Sequence, residues 1–295
     1  MSHRPASHQI VLVTGTNSGF GRLFVLTLAR KGHTVFATMR DAAGRNAAVA
    51  DEFRRIAAAE GLHIHPLEVD LSSDDSVQAA VDEATRIAGP ITVLVNNAGM
   101  GIVGIEETLT PDQLEEQLRV NVVLPHRLCR AVLPSMRSHG RGLLIHISSS
   151  VGRVVFPFMG AYCASKAALE ALFDAYRFEL QPTGIDSTIV QPGAYATDFG
   201  KNVRLGLEAE RGLGYGPMAD GLKQLVGQIE AMAGGPDAPD PQQVADAVLA
   251  LVESPPGTRP DRVVVDRALG QMVTGLNAAH AEAQELLGRR MMGRS

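Results

Sequence analysis

Tyr162 and Lys166 stand four residues apart in a chain that has only four tyrosines and four lysines. On a helix, this spacing places both side chains on one face. A neighbouring ammonium favours the phenolate and can lower the pKa of a phenol by about 1–3 units from its usual value of about 10. The pair therefore indicates proton transfer at a carbonyl or an alcohol, with Tyr162 as the acid or base. The alternative is an ordinary surface pair.

A glycine-rich loop near the N-terminus, T-G-T-N-S-G-F-G, lies between a buried apolar run and a helical pattern. Glycines let the backbone turn tightly, and a helix that follows presents free N–H groups and its positive dipole end to an anion. The loop thus predicts a pyrophosphate site, although a turn that only needs positive φ is the alternative. The expected contacts are Gly15, Asn17, Ser18, Gly19, Phe20 and Gly21.

The end of the second predicted strand bears on which nicotinamide cofactor would bind. An acid there would bind a ribose 2′-hydroxyl and repel a 2′-phosphate. Met39 occupies that place and Arg40 follows it. Because a guanidinium can pair with a phosphate through two hydrogen bonds, with Ser18 adding a hydroxyl, the sequence favours NADP(H). NAD(H) stays possible, since Arg40 can also be an ordinary surface charge beside Asp41.

Short β-branched runs alternate with amphipathic segments along the chain. This alternation predicts βαβ units and a doubly wound parallel sheet of about seven strands, with helices on both faces, in an α/β fold of the Rossmann type. The predicted strands span 10–14, 34–39, 63–70, 92–96, 143–148, 187–191 and 262–266, and the helices span 19–31, 42–59, 73–88, 111–123, 160–180, 242–252 and 269–290. Ser72 or Ser73 would cap the third helix, and Thr110 with Pro111 would begin the fourth.

A stretch rich in Gly, Pro and Met interrupts this rhythm at residues 198–240. A long insertion in a compact domain is usually functional or disordered, and this one follows the sixth strand, where a substrate lid would lie. We expect residues 1–295 to form one dinucleotide-binding and catalytic domain, closed by a C-terminal helix at about 269–290.

Composition excludes several classes of function. The formal net charge is −5 and there is no basic block, so we expect neither nucleic-acid nor membrane binding. Two cysteines, Cys129 and Cys163, lie in helical contexts and argue against disulfides, while His63, His65 and His146 form no metal cluster. The N-terminus lacks the order of a signal peptide, and we expect a cytoplasmic protein without a metal.

The loop pattern T-G-x-x-x-G-x-G and the sequence Y-C-A-S-K at 162–166 resemble the short-chain dehydrogenase/reductase family. The resemblance covers about residues 10–200. "GHTVFATMRD" and "PFMGAYCASKAALEAL" are most similar to its 17β-hydroxysteroid and retinol dehydrogenase-like branch. The resemblance implies Ser149, with Ser148 or Ser150 as alternatives, as the serine that binds the substrate oxygen. It also implies Asn121, beside Val120, as the holder of a water in a proton relay, with a structural kink as the alternative.

The same resemblance assigns further cofactor contacts. Asp70 and Leu71 would lie against the adenine, and the N-N-A-G element would shape the adenosine side of the cleft. The P-G-x-x-x-T element would hold the carboxamide through backbone at Tyr195 and the Thr197 hydroxyl, and we expect the Tyr195 side chain to narrow the pocket or touch substrate. The residues of the last two elements are Asn97, Ala98, Gly99, Pro192, Gly193, Tyr195 and Thr197.

Together these patterns predict an NADP(H)-dependent oxidoreductase that interconverts a carbonyl and an alcohol, with a small lipophilic ketone or aldehyde as substrate. The alternative is a non-catalytic nucleotide sensor or interaction protein on the same fold, although such proteins usually lose the Tyr–Lys pair. The helix at 160–180 has small residues on several faces, and family members pair this helix between subunits. A homodimer or homotetramer is therefore expected.

Overall fold

A parallel sheet of seven strands organises the computed structural model, which describes residues 8–218, 220–225, 227 and 238–292. The strand order is β3-β2-β1-β4-β6-β7-β9, and every neighbouring pair is parallel. The order reverses between β1 and β4, where a crevice opens at the carboxyl ends of the strands. The strands are β1 Ile10–Thr14, β2 Thr34–Met39, β3 Ile64–Glu68, β4 Val93–Asn96, β6 Gly142–Ile147, β7 Ile185–Pro192 and β9 Arg262–Val265.

Helices cover both faces of the sheet, as the predicted fold class requires. The strands alternate their side chains between two apolar clusters, so Val11 and Val13 face one and Leu12 faces the other. The first cluster includes residues of α1, α2 and α7, and the second includes residues of α3, α5 and α6. The helices are α1 Gly19–Arg30, α2 Ala47–Glu60, α3 Asp74–Ala88, α4 Pro111–Leu118, α5 Leu124–Ser138, α6 Gly160–Leu180, α7 Gln242–Glu253 and α8 Gly270–Met292.

The predicted helix starts at α3 and α4 are confirmed. Ser73 caps α3 by accepting the Ser76 amide. Thr110 and Gln113 form a reciprocal capping box at the start of α4, with Pro111 at its first position.

Two predicted helices differ from the structure. The prediction of a helix over 42–59 is wrong at its start, because Asp41 has φ 50° and accepts the Arg45 amide, which makes residues 42–46 a turn. The helix predicted at 111–123 is α4 followed by a π-helical turn at Arg119–Val123, which continues directly into α5. A π turn has no periodicity that a sequence would reveal.

The segment after β7 forms a second, two-stranded parallel sheet, in which β5 Ile102–Val103 pairs with β8 Arg204–Leu205. A 3₁₀ segment precedes β8 at Gly200–Asn202, and another follows it at Ala209–Tyr215. The predicted lid at 198–240 begins here, and its residues 219, 226 and 228–237 lie outside the described part of the chain.

The C-terminal helix α8 agrees with the predicted one. Asp266 orders its approach by accepting the amides of Ala268 and Leu269. Within the described residues, no helix has the length and apolarity needed to cross a membrane.

Candidate active site

Tyr162 lies in the first turn of α6, which is positioned by a carboxylate from elsewhere in the chain. The residue before this helix, Met159, offers no side-chain cap. Instead, Glu106 accepts the Gly160 amide at 2.6 Å and the Ala161 amide at 3.2 Å. The free N–H groups at the helix start are therefore bound two residues before the phenol, which fixes where the phenol lies.

Of the three consecutive serines, Ser149 is the one beside Tyr162. Its hydroxyl lies close enough to the phenol to lower the pKa of Tyr162, and it donates to the Pro192 carbonyl at 3.3 Å and accepts the Val151 amide. Ser148 is buried and donates to Glu170 instead, at 2.8 Å, and Ser150 is buried as well. The geometry thus distinguishes Ser149 from its two alternatives.

Lys166 follows one turn later on α6, and its side chain is buried at the carboxyl end of β6. Its Nζ donates to the Ile147 carbonyl at 2.9 Å and lies 5.8 Å from the centroid of the Tyr162 ring. Burial lowers the pKa of Lys166 to about 8, while the charge of Glu170 opposes this shift.

The expected lowering of the Tyr162 pKa by Lys166 is wrong in this structure. Burial raises the pKa of Tyr162 above its usual value, and the Ser149 hydroxyl lowers it by less. The phenol is 8% exposed, and desolvation penalises the phenolate more strongly than the neighbouring groups stabilise it. At neutral pH the side chain is therefore a neutral phenol that holds a proton to give.

Asn121 lies in the π-helical turn and is fully committed to hydrogen bonds. Its amide accepts the Met100 N–H and donates to the Met100 carbonyl and to Ser165 Oγ. The side chains of Asn121 and Lys166 both reach Gly99. A Cβ built at Gly99 would lie 3.3 Å from Asn121 Oδ1 and 3.8 Å from Lys166 Nζ. Asn121 and Lys166 thus converge on the same backbone position. Val120 beside Asn121 is half-buried.

Gln117 reinforces this arrangement, and the sequence reading missed it. It is buried one turn before Asn121, accepts the Ile102 amide at 2.7 Å and donates to the Met100 carbonyl at 2.8 Å. The sequence pattern could have identified Gln117, because Gln117 and Asn121 have i, i+4 spacing on one helix face.

The glycine loop connects β1 to α1 at the crevice of the sheet, and its geometry fits a pyrophosphate. Gly15 has φ +67°, and a Cβ at Gly21 would lie 2.1 Å from the Gly15 carbonyl oxygen. Ser18 at the N-cap makes no side-chain bond to the helix, and Asn17 is exposed. The first-turn amides of α1 are thus available to an anion. The Phe20 ring points inward, stacked on Phe24 and edge-on to Tyr195.

The N-N-A-G element supports this loop from the neighbouring strand. Asn97 donates to the carbonyls of Thr14 and Gly15, at 2.8 and 3.1 Å. Thr14 Oγ1 accepts the amides of Asn97 and Ala98, which makes Thr14 a further supporting residue that the sequence reading missed. The loop and this element are therefore one rigid wall of the crevice.

Arg40 and Asp70 lie near one another at the adenosine end. Both are exposed, at the ends of β2 and beyond β3. The pKa of Asp70 is lowered, first by hydrogen bonds from Ser72 and also by the charges of Arg40 and Arg119. The half-buried Leu71 accepts a hydrogen bond from Arg127 through its carbonyl.

The P-G-x-x-x-T segment corrects one expectation. The Tyr195 side chain does not narrow the pocket, because it is buried against α1 and its hydroxyl donates to the Val265 carbonyl at 3.1 Å. Gly193 leaves room for Asp266, whose carboxylate would lie 2.4 Å from a Cβ there. Thr197 does face the loop, since its Cβ lies 3.4 Å from a Cβ built at Gly19.

Phe199 covers Tyr162 from the side of the predicted lid, and the sequence reading did not select it. Its ring centroid lies 5.6 Å from that of Tyr162 at a tilt of 45°. The Cζ atom of Phe199 also lies close to Gly101, at 3.1 Å from a Cβ built there. The phenol is therefore shielded by an aromatic side chain that is itself 38% exposed.

The comparison with known proteins agrees with this geometry. A family model described as short chain dehydrogenase matches residues 9–208. The chain belongs to the short-chain dehydrogenase family. Within it, the relatives place the chain in the retinol and hydroxysteroid dehydrogenase-like branch, as predicted.

Three curated relatives illustrate the likeness. The 3-ketodihydrosphingosine reductase of Bacteroides thetaiotaomicron is 37% identical over 195 residues, which are 66% of this chain and 66% of that protein. Retinol dehydrogenase 5 of Homo sapiens is 37% identical over 65% of this chain and 58% of its own length. The oxidoreductase YusZ of Bacillus subtilis is 30% identical over 82% and 84%. The chain thus spans just under two thirds of the first relative.

Solved structures share the whole architecture. A short-chain dehydrogenase from Streptomyces avermitilis has a TM-score of 0.74 and 29% identity and covers 97% of both chains. A metagenomic short-chain oxidoreductase solved with NADP has a TM-score of 0.67 and 26% identity, over 89% of this chain and 98% of the other. The predicted Rossmann-type sheet is confirmed.

Proposed function

We propose that this protein is an NADP(H)-dependent oxidoreductase that interconverts a lipophilic ketone or aldehyde and its alcohol. The observation that carries the proposal is the convergence on one site of the Ser149 hydroxyl, the Tyr162 phenol and the buried Lys166, whose Nζ lies 5.8 Å from the centroid of the Tyr162 ring. A neutral phenol and a hydroxyl that converge on one point suit the oxygen of a carbonyl group.

Each side chain has a distinct role in this reaction. The Ser149 hydroxyl orients the substrate oxygen, and Tyr162 donates a proton to that oxygen during reduction and accepts it during oxidation. Lys166 returns a proton to Tyr162 and binds the ribose. Asn121 orders the backbone at Met100 through two hydrogen bonds. The nicotinamide, when bound, supplies or accepts the hydride.

The cofactor would lie across the crevice of the sheet. The glycine loop, with Gly15, Gly19 and Gly21, would receive the pyrophosphate on the amides of α1. Arg40 supports a preference for NADPH, because its guanidinium is exposed at the end of β2 where a 2′-phosphate would lie. The complex of the metagenomic relative with NADP is consistent with this choice.

The loops around Tyr162 support a lipophilic substrate. The segment before Tyr162 and the segment after β8 expose large apolar side chains, and large exposed apolar groups often mark a binding surface. Val155 is 78% exposed between Ser149 and Tyr162, and Leu213 is 79% exposed beyond β8. The names of two relatives, a ketosphingosine reductase and a retinol dehydrogenase, point to the same class of substrate.

We also propose that two copies pair through α6 in a homodimer, which could be half of a homotetramer. The outward face of this helix has a continuous stripe of small exposed residues, which lets a second helix approach closely: Ala164, Ala167, Ala171 and Ala175. Light scattering on the purified protein tests this, and Ala171→Arg should yield a monomer. A wild-type monomer at micromolar concentration would rule the pairing out.

The function is tested by following nicotinamide absorbance with NADPH or NADH and a panel of ketones, aldehydes and steroids. Tyr162→Phe keeps the ring but has no proton to transfer, so turnover should fall by about 100-fold or more while NADPH binding persists. Tyr176→Phe, on the same helix, is the matched control. NADPH binding without turnover of any carbonyl would favour the nucleotide sensor.

A further inference from the structure

One buried carboxylate on α6 has no part in the chemistry above. Glu170 is 1% exposed and lies one turn beyond Lys166. Its Oε1 accepts hydrogen bonds from Ser148 Oγ and Gln191 Nε2, both at 2.8 Å. Its Oε2 lies 3.0 Å from Arg153 Nε and accepts Arg262 Nε at 3.2 Å.

These contacts involve residues on both sides of Ser149 in the sequence. Ser148 comes immediately before it, and Arg153 ends the short 3₁₀ turn at Ser150–Gly152 that follows it. Gly152 packs directly on the carboxylate, since a Cβ there would lie 2.6 Å from Glu170 Oε1. Both ends of the turn that begins at Ser149 therefore rest on one carboxylate.

The C-terminal helix α8 completes this arrangement through Asn277. The Asn277 amide accepts a hydrogen bond from Arg153 Nε at 3.0 Å and donates one to Gln191 Oε1 at 2.7 Å. A second link lies farther along α8, where His280 Nε2 is 3.1 Å from Asp174. Asn277 thus contacts Arg153 and Gln191 directly, whereas the contact of His280 with Asp174 is connected to Glu170 through Arg262.

We propose that Glu170 is a positioning residue for Ser149, and that Asn277 makes the C-terminal helix part of the active-site support. The proposal rests on the function above, because it assigns a task to Ser149. The hydroxyl has to reach both Tyr162 and the substrate oxygen, and a displacement of about 1 Å at a reacting group can cost about 100-fold in rate. A buried carboxylate that binds two arginines and two neutral donors provides the required rigidity.

Asn277 offers the cleaner test, because Glu170 is buried among charges and its replacement can prevent folding. Asn277→Ala should lower kcat about 10-fold or more, with the Kd for NADPH, measured by its fluorescence, changed less than about twofold. Asn277→Asp keeps the acceptor for Arg153 but loses the donor to Gln191, so it should restore only part of kcat. His280→Ala releases α8 without touching the turn, and Thr274→Ala changes an exposed position on the same helix.

Amide hydrogen exchange of peptides that cover residues 148–154 provides a readout independent of turnover. Asn277→Ala should speed exchange there, whereas His280→Ala and Thr274→Ala should leave it unchanged. Unchanged exchange and unchanged kcat in Asn277→Ala would overturn the proposal, as would an equal loss of kcat in His280→Ala. If the wild type reduces no carbonyl, the proposed function fails, and the exchange experiment still decides whether Asn277 orders the turn.

Discussion

Glu106 and Gly160 are joined by a 2.6 Å hydrogen bond from the Gly160 amide to the Glu106 carboxylate, although 54 residues separate them in sequence. The bond ties the loop after β5 to the start of the helix that carries Tyr162. A negative charge at this end of a helix is also favourable for its dipole. The proposed catalytic acid is thus positioned by a residue on the substrate side of the site.

Glu106→Ala should destabilise the protein and slow turnover. Loss of a helix cap costs about 1 kcal/mol, which corresponds to a fall in Tm of roughly 2–4 °C for a chain of this size. We expect kcat to fall more than the affinity for NADPH, since the cap lies beside the phenol and away from the glycine loop. Calorimetry and steady-state kinetics measure the two effects. Glu115→Ala, an exposed acid on α4, is the control, and equal effects from both variants would refute a capping role.

Phe199→Ala should weaken substrate binding. Full burial of a Phe side chain is worth about 1.5–3 kcal/mol, and substrate would cover the 38% of Phe199 that is exposed, so KM for a lipophilic carbonyl should rise about threefold or more. Phe199→Leu should recover part of this loss. Phe178 is the matched control, because it is 39% exposed against 38% for Phe199 but lies at the far end of α6. A KM that stays at the wild-type value in Phe199→Ala would show that the ring does not line the substrate site.

The rate of carbonyl reduction should fall as the pH rises through about 8. Burial lowers the pKa of Lys166 to about 8, so its ammonium is present below that pH and lost above it. Tyr162 does not set this limit, because burial raises its pKa and keeps the phenol protonated. Profiles of kcat against pH for the wild type and Lys166→Arg provide the measurement. Arginine keeps its charge, so the alkaline decline should move upward, and a decline at the same pH in both proteins would assign it elsewhere.

Arg40→Ala should raise KM for NADPH about 10-fold and leave KM for NADH nearly unchanged. The guanidinium is proposed to pair with the 2′-phosphate, which NADH lacks. Arg45→Ala removes an exposed charge in the following turn and serves as the control. If KM rises equally for both cofactors, Arg40 contributes only general support to the adenosine end.

The sequence was sufficient to predict all seven strands of the large sheet, because each is a short apolar run between residues that favour turns. Strand ends shifted by one or two residues, as at Ile64–Glu68 and Ile185–Pro192. The Thr110 cap and Pro111 at the start of α4 were predicted for the same local reason, whereas the reciprocal bond from Gln113 was not predicted. The late start of α2 was not, since it depends on a left-handed Asp41 that a sequence pattern does not distinguish from a helical residue.

Within the site, side chains with a local spacing were mostly found, with Gln117 as the exception, and those with distant partners were missed. Tyr162 and Lys166 share a helix face, and their spacing in the sequence was sufficient to identify them. Glu106 and Glu170 act on backbone and side chains that only the completed fold brings near, so no short pattern identifies them. Tyr195 was misjudged because its side chain follows the packing of α1 and β9, which neighbouring residues do not reveal.

The pairing of β5 with β8 affects the order in which the parts of the chain fold. Its partners, Ile102 and Arg204, are about a hundred residues apart in sequence, and each strand has only two residues. Closing so long a loop costs chain entropy that two short strands offset poorly until the large sheet exists. The large sheet should therefore form first, and the β5–β8 pair should form last and open most readily.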